Sequence, residues 1–200
     1  MLTILSIAIL ILSIIIHEIS HGYMADRLGD PTARLQGRLT LNPIKHIDPI
    51  GSIVVPLLTS LGGFTFGWAK PVPYNPYNLK NQRTGEFLIA AAGPLSNLAI
   101  ALIFGTIIRF IAAGEMTPFI EISAHIVIIN IVLAVFNLIP IPPLDGSKLL
   151  FAFLPSQYGR TRMLLETYAP ILILVVVFFL WQVISPIIWP IFRVFTGMSL

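Results

Sequence analysis

Four long stretches of the chain are almost free of charge. The first, Met1–Ile16, runs on through a polar cluster to Met24; the second is Phe87–Ile108, the third Ile122–Leu144 with His125 inside it, and the fourth Thr167–Phe192. A helix needs about 20 apolar residues to cross the hydrocarbon core of a bilayer, so all four are expected to span. Pro170, Pro186 and Pro190 should break or kink the ends of the fourth. A fifth apolar stretch, Pro49–Phe66, is shorter and holds Gly51, Pro56, Gly62 and Gly63. It reads as a poor spanning helix and is expected to be re-entrant.

Composition agrees with a polytopic α-helical membrane protein. Hydrophobic residues make up 56% and charged residues only 10% of 200 positions, against about 25% charged in a soluble domain. That is too little charge to wet a globule of 22.1 kDa, and the mean hydropathy is +0.89. A net charge of +3 gives no basic stripe, so no nucleic-acid partner is expected. Zero cysteines exclude disulfides, iron–sulfur clusters, thiolate zinc sites and a cysteine nucleophile. The N-terminus lacks a basic flank and a small-residue cleavage site, so no removable signal peptide is expected. No fixed-period repeat or linker divides residues 1–200, which read as one integral-membrane domain.

Positive charge predicts orientation. Arg27, Arg34, Arg38 and Lys45 follow the first run; Lys70, Lys80 and Arg83 follow the fifth stretch; Lys148, Arg160 and Arg162 precede the last run. Past Arg109, the loop between the second and third runs carries Glu115 and Glu121 with no further lysine or arginine. One layout puts all ten basic residues in the cytoplasm: the N-terminus outside, four crossings, and Pro49–Phe66 dipping in and returning.

The polar cluster in the first run is His17-Glu18-Ile19-Ser20-His21, an HExxH pattern. Four residues at about 100° each bring both imidazoles to one helix face, a turn apart. That spacing lets two nitrogens bind one Zn²⁺, with Glu18 beside them to accept a proton from the attacking water. With four histidines and five glutamates in the chain, the pattern arises by chance on the order of 0.002 times. Three ionisable groups in a membrane helix cost on the order of 2.5–3.5 kcal/mol per charge. A bound Zn²⁺ contributes roughly 10–16 kcal/mol, which offsets that cost.

A catalytic zinc takes a third protein ligand and keeps one open position. Without cysteine, the candidates are His, Asp or Glu at the same depth. Asp145 closes the stretch Asn137-Leu138-Ile139-Pro140-Ile141-Pro142-Pro143-Leu144-Asp145-Gly146. Its prolines should stop the third helix near Ile139, and unwound backbone at membrane depth is tolerated only where it lines a polar cavity. Asp145 shares the depth of His17 and His21 only if the first and third long helices point the same way. That requires Pro49–Phe66 to be re-entrant, the topology the charge bias also demands. Zn²⁺ with two neutral histidines, Asp145 and ionised Glu18 sums to zero charge, tolerable in low dielectric.

HExxH on a first membrane helix followed about 120 residues later by N-x-x-P-x-P-P-L-D-G resembles the site-2 protease family of intramembrane zinc metalloproteases. The similarity extends to the Arg38–Gly51 loop, to Gly67-Trp68-Ala69-Lys70-Pro71-Val72-Pro73 and to Gly93-Pro94-Leu95-Ser96-Asn97. The resemblance implies one Zn²⁺ per chain held by His17, His21 and Asp145, with Glu18 as the base. It implies cleavage of a membrane-protein substrate within or near its transmembrane helix. No PDZ or CBS segment is expected within the chain. A helical substrate must unwind first. A small β-hairpin formed by Arg38–Leu41 and Thr65–Pro73 is expected to offer an edge for strand addition.

Asn97 is a candidate for binding substrate or the tetrahedral oxyanion; the alternative is helix–helix hydrogen bonding with Gly93 and Ser96. His46 reads as a structural hydrogen-bonder and His125 as too far from the site to reach the metal. Asn137 is expected to brace the Asp145 loop. Glu86 and Arg83 read as a solvated helix start. The rival reading is a non-proteolytic membrane metal-binding protein or transporter, which Glu18→Gln separates from a protease. The oligomeric state is left open.

Overall fold

The computed structural model describes residues 2–60, 68–111, 117–154 and 159–198. Their helices, in chain order, are α1 (Leu2–Arg27), α2 (Thr32–Leu35), α3 (Val55–Ser60), α4 (Gln82–Ile111), α5 (Pro118–Asn137), α6 (Asp145–Phe153), α7 (Gly159–Thr167) and α8 (Ala169–Thr196). Short 3-10 turns lie at Pro43–His46 and Pro76–Asn78, and a π-helical turn, Ile50–Val54, leads into α3.

The apolar runs became the long helices, and their ends follow local chemistry. After α1 the chain turns at Gly29, whose φ of 107° is open to glycine without a Cβ penalty; Asp30 N–H then reaches back to Ala25 O at 2.9 Å. Thr117 Oγ1 accepts from Ile120 N–H at 3.3 Å to start α5, with Pro118 in its first turn, where a missing N–H does no harm. α5 stops at Asn137, because Pro140, Pro142 and Pro143 have no N–H with which to continue it. α8 is one helix of 28 residues that continues through Pro186 and Pro190, so neither proline breaks it. Membrane helices tolerate such prolines when neighbouring groups satisfy the freed carbonyls.

Three helices among the described residues are long and apolar enough to cross a membrane: Ile4–Arg27, Gln82–Ile111 and Pro118–Asn137. Within the 28-residue α8, Ile184–Thr196 is a further apolar stretch among the described residues. The outward faces are apolar, with Ile4, Ile7, Leu102, Ile103 and Phe110 exposed, as a lipid-facing surface is. Between Ile50 and Ser60 the helical chain is eleven residues long. At about 1.5 Å per residue it covers roughly half of a 30 Å core, too short to span alone. Residues 61–67, which include Gly62 and Gly63, lie outside the described residues.

Ala101 and Ile108 of α4, Ile120, Val127 and Ile131 of α5, and Ile184, Ile188 and Phe192 of α8 form the main apolar core. α1 packs along α4 and α5, and the pairs of touching residues fix directions. Along α1, His17 meets Asn97 and His21 meets Ile89, so α1 and α4 are antiparallel. Ser13 meets Asn130 of α5, while His17 and His21 meet Asp145 beyond the end of α5, so α1 and α5 are parallel.

Among the described residues the expected β-hairpin does not form, for they contain no strand; residues 65–67 of its second arm lie outside them. The two arms do adjoin, joined by a side chain instead of a ladder. Buried Arg38 donates to Lys70 O at 2.9 Å and Pro71 O at 3.2 Å. The physical reason lies in where the second arm spends its donors. Trp68 N–H goes to Gly51 O (3.0 Å), Lys70 N–H to His46 O (2.9 Å) and Val72 N–H to Glu18 (2.9 Å). The intervening Pro71 and Pro73 have no N–H, so few donors are left for pairing.

Candidate metal centre

α1 presents His17, Glu18 and His21 from consecutive turns, and their ligand-capable atoms lie within 4.8 Å of one another. The loop after α5 returns Asp145 to the same place as the first residue of α6. Asp145 Oδ2 is 3.0 Å from His17 Nε2 and 3.1 Å from His21 Nε2. All three residues are buried, at 5%, 8% and 6% exposure for His17, His21 and Asp145. Lys148, one turn along α6, brings Nζ to 3.8 Å from Asp145 Oδ1 and also lies over the Tyr74 ring. Burial, then the negative charge of Glu86, pushes the Tyr74 hydroxyl up to about 12.

Each imidazole is held from behind. His21 Nδ1 donates to Ile89 O at 2.6 Å, and His17 Nδ1 lies 2.6 Å from Asn97 Oδ1. Asn97 has no accessible surface; its Nδ2 donates to Asn130 Oδ1 at 2.8 Å and, more weakly, to Ser13 O at 3.4 Å. Gly93 backs both rings. A Cβ there would lie 2.5 Å from His17 Nε2 and from His21 Cε1 and Nε2, so only glycine lets α4 approach this closely. Gly146 does the same for α6, whose start rests directly on the Leu138 and Ile139 carbonyls.

The arrangement fits a divalent ion. Ile89 O can only accept, so a neutral His21 carries its proton on Nδ1 and turns the bare Nε2 lone pair toward the Asp145 carboxylate. Two lone pairs facing each other at 3.1 Å repel unless a proton or a metal ion lies between them. Zinc at about 2.0–2.2 Å from each donor sets tetrahedral edges of roughly 3.3–3.5 Å, a few tenths longer than the separations here. A second carboxylate, that of half-buried Glu18, stands beside the cluster, with Oε2 accepting from Val72 N–H.

The other sequence candidates lie elsewhere. His46 is buried in the loop and donates through Nε2 to Thr40 O at 2.8 Å. His125 Nδ1 bonds Glu121 O in its own helix at 2.8 Å. Asn137 turns back to Leu133 O at 2.9 Å instead of onto the Asp145 loop. Arg83 is not simply solvated: its Nε donates to Ala152 O and ties α4 to α6. Sequence reasoning passed over Asn130, which has no accessible surface. Its signal was present, since a carboxamide in the middle of a spanning run is a polar group that lipid cannot satisfy. Ser13 and the Val72 amide gave no such signal.

Two buried imidazoles and the Asp145 carboxylate thus converge inside a bundle of long apolar helices, with the Glu18 carboxylate beside them. The chain belongs to peptidase family M50, the site-2 proteases. That family's model matches residues 109–183, a stretch that contains Asp145, and relatives cover most of the chain. "Putative zinc metalloprotease YwhC" of Bacillus subtilis is 38% identical over 188 residues, which cover 90% of this chain and 82% of that protein. "Putative zinc metalloprotease Rip2" of Mycolicibacterium smegmatis is 32% identical over 144 residues, covering 72% of this chain and 54% of its own. "Zinc metalloprotease MJ0392" of Methanocaldococcus jannaschii is 25% identical, covering 77% of this chain and 35% of its own. The chain thus spans most of YwhC and about half or less of the other two. No solved structure matches it. The cofactor of this family is zinc, and the donor set here suits it.

Proposed function

We propose that this chain is an intramembrane zinc endopeptidase that hydrolyses a peptide bond in or near the transmembrane segment of a membrane-protein substrate. The observation that carries the reading is the convergence of His17 Nε2, His21 Nε2 and Asp145 Oδ2, at 3.0 and 3.1 Å, between helices long enough to cross a bilayer. His17, His21 and Asp145 hold one zinc ion. When bound, that ion supplies Lewis-acid polarisation of the scissile carbonyl and activates water near neutral pH. Glu18 takes the proton of the attacking water and returns it to the leaving amine. The bond from Val72 N–H orients the Glu18 carboxylate through Oε2 and leaves its other oxygen for that transfer. Asn97 acts through His17, since its carboxamide is committed to His17, Asn130 and Ser13.

In the bilayer we place four crossings, with α8 as the fourth and the N-terminus outside. The parallel run of α1 and α5 supports an odd number of crossings between them. α4 supplies one, and Pro49–Phe66 enters and leaves on the same side. Its basic loops then face the cytoplasm, and the metal centre lies nearer that face.

The test is cleavage by purified protein in proteoliposomes of a single-pass substrate, with the product ends located by mass spectrometry. Cuts inside the hydrophobic segment, abolished by Glu18→Gln while zinc stays bound, are the expected result. Zinc-dependent ion flux that persists in Glu18→Gln, with no cleavage by the native protein, would make it a transporter.

A further inference from the structure

We propose that Asn130 of α5 is a positioning residue for the metal centre: through the Asn97 carboxamide it fixes which ring nitrogen of His17 carries the proton. The inference rests on His17 being a metal ligand, as above, and it starts at a backbone carbonyl remote from the metal. Ile126 O, one turn back on α5, can only accept. Asn130 Nδ2 lies 2.9 Å from it, so this end of the Asn130 side chain is the amino group. The same Nδ2 donates to Ser13 Oγ of α1 at 3.0 Å. The orientation of Asn130 is thereby set, and its Oδ1 faces Asn97.

Asn97 is then determined in turn. The atom 2.8 Å from Asn130 Oδ1 must be a donor, hence Nδ2; the Ser13 carbonyl on the same side demands the same. Asn97 Oδ1 therefore points at His17 Nδ1, 2.6 Å away. An amide oxygen only accepts, so a neutral His17 keeps its proton on Nδ1 and offers Nε2 to the metal. His21 needs no such relay, because Ile89 O holds its Nδ1 directly. His17 lacks a backbone carbonyl in that place, and three polar side chains on three helices stand in for it.

Remove the Asn130 acceptor and nothing but the weak 3.4 Å contact to Ser13 O opposes a half-turn of the Asn97 carboxamide. The turned amide presents Nδ2 to His17 Nδ1, which must then accept, and the ring proton moves to Nε2, where it blocks the ligand position. Outer partners of metal-bound histidines typically account for about 10–100-fold in metal affinity.

Two variants and two measurements test this. Asn130→Leu deletes the acceptor; Asn130→Asp, as the neutral acid, keeps an oxygen facing Asn97 Nδ2 and an O–H for Ile126 O. The protein is labelled with ¹⁵N-histidine in nanodiscs, and zinc affinity is read by chelator competition. The metal-free native protein is expected to show His17 protonated at Nδ1 when its ring is neutral. Asn130→Leu should populate the Nε2–H tautomer and lose about 10–100-fold in zinc affinity, while Asn130→Asp stays within about threefold. A native His17 with its proton on Nε2 overturns the proposal, even if Asn130→Leu fails to fold. So do equal losses in both variants, or no loss in a folded Asn130→Leu. A native protein that binds no zinc would refute the metallopeptidase reading instead, and the tautomer would still decide this one.

Discussion

Gly93→Ala adds one methyl group at the point where α4 touches both imidazoles, and its effect follows from the geometry. The new Cβ would lie 2.5 Å from His17 Nε2 and from two atoms of the His21 ring. Ordinary carbon contacts lie near 3.5–4.0 Å, so the rings or the helix must give by about 1 Å. The rings cannot simply swing aside, because His17 Nδ1 is pinned to Asn97 Oδ1 and His21 Nδ1 to Ile89 O. Both of those anchors are on α4 itself, so sliding α4 drags them along. Metal–donor distances tolerate about 0.2 Å; a shift five times larger should weaken zinc by at least about 100-fold, equivalent to roughly 2.7 kcal/mol. Helix propensity works in the opposite direction, since alanine is better than glycine in a helix interior by about 1 kcal/mol. A loss of metal therefore cannot be ascribed to a weakened α4. The assay is zinc stoichiometry and affinity of the purified variant, alongside its helix content and proteolytic activity. Native zinc affinity in a folded Gly93→Ala would refute the claim that this glycine exists to admit the ligands.

Other changes separate the roles of the site residues. Asp145→Ala removes one of three donors and should cost zinc stoichiometry in the purified protein; Glu18→Gln should keep zinc and lower the cleavage rate by about 10²–10⁴-fold. Asp30, with no accessible surface, accepts from Thr32 N–H and Oγ1, Asn75 N–H and Asn78 Nδ2. Burial alone would raise its carboxyl, but those bonds outweigh it and hold it below the usual range. A depressed folded value means that its contribution is fully present above the ordinary carboxyl pKa near 4. It is lost as pH falls through the lower folded value, so thermal stability should drop there, and Asp30→Asn should flatten that part of the profile. Arg38→Met should free the 68–73 segment from the 38–41 loop, read as faster protease nicking after Lys70 with zinc content unchanged.

The helices were legible because lipid imposes a simple rule, about 20 apolar residues per crossing, and the chain obeys it at α1, α4 and α5. The candidate site was legible because His17, Glu18 and His21 lie on consecutive turns of one helix, and because Asp145 follows a proline-stopped helix. Both features are local in sequence. What sequence did not reveal is non-local or made of backbone. Nothing in Gly93 says that two imidazoles will press against it. The Ile89 carbonyl and the Val72 amide are peptide groups like any other until the fold aims them at His21 and Glu18. The alternation at 38–41 suggested a strand, but a strand needs a partner with free donors. The chain had already directed the amides of Trp68, Lys70 and Val72 to Gly51, His46 and Glu18. Pro186 does not end α8, because a membrane bundle tolerates the missing hydrogen bond of a proline inside a helix.

The placement of polar groups also explains how such a bundle can hold together. In lipid, apolar side chains gain little by meeting one another, and helices associate through close packing of small residues and hydrogen bonds between them. The contact of α1 with α4 and α5 uses both at one place. Gly93 permits the close approach, and Ser13, His17, Asn97 and Asn130 bond across all three helices. Each such bond is worth only about 0.6 kcal/mol on average, so the set by itself clamps α1 weakly. Among the described residues, Asp145 meets α1 through the two imidazoles. Zinc held there, as proposed, would be the strongest tie between α1 and α6, since structural zinc sites contribute roughly 10–16 kcal/mol. Chelation should loosen α6 and the Leu138–Leu144 loop first, visible as faster amide exchange at Gly146 and Ser147, while α4 and α5 keep their apolar contacts with α8. If exchange rose equally in α5 and α6, the metal would be holding the whole bundle and not this one junction.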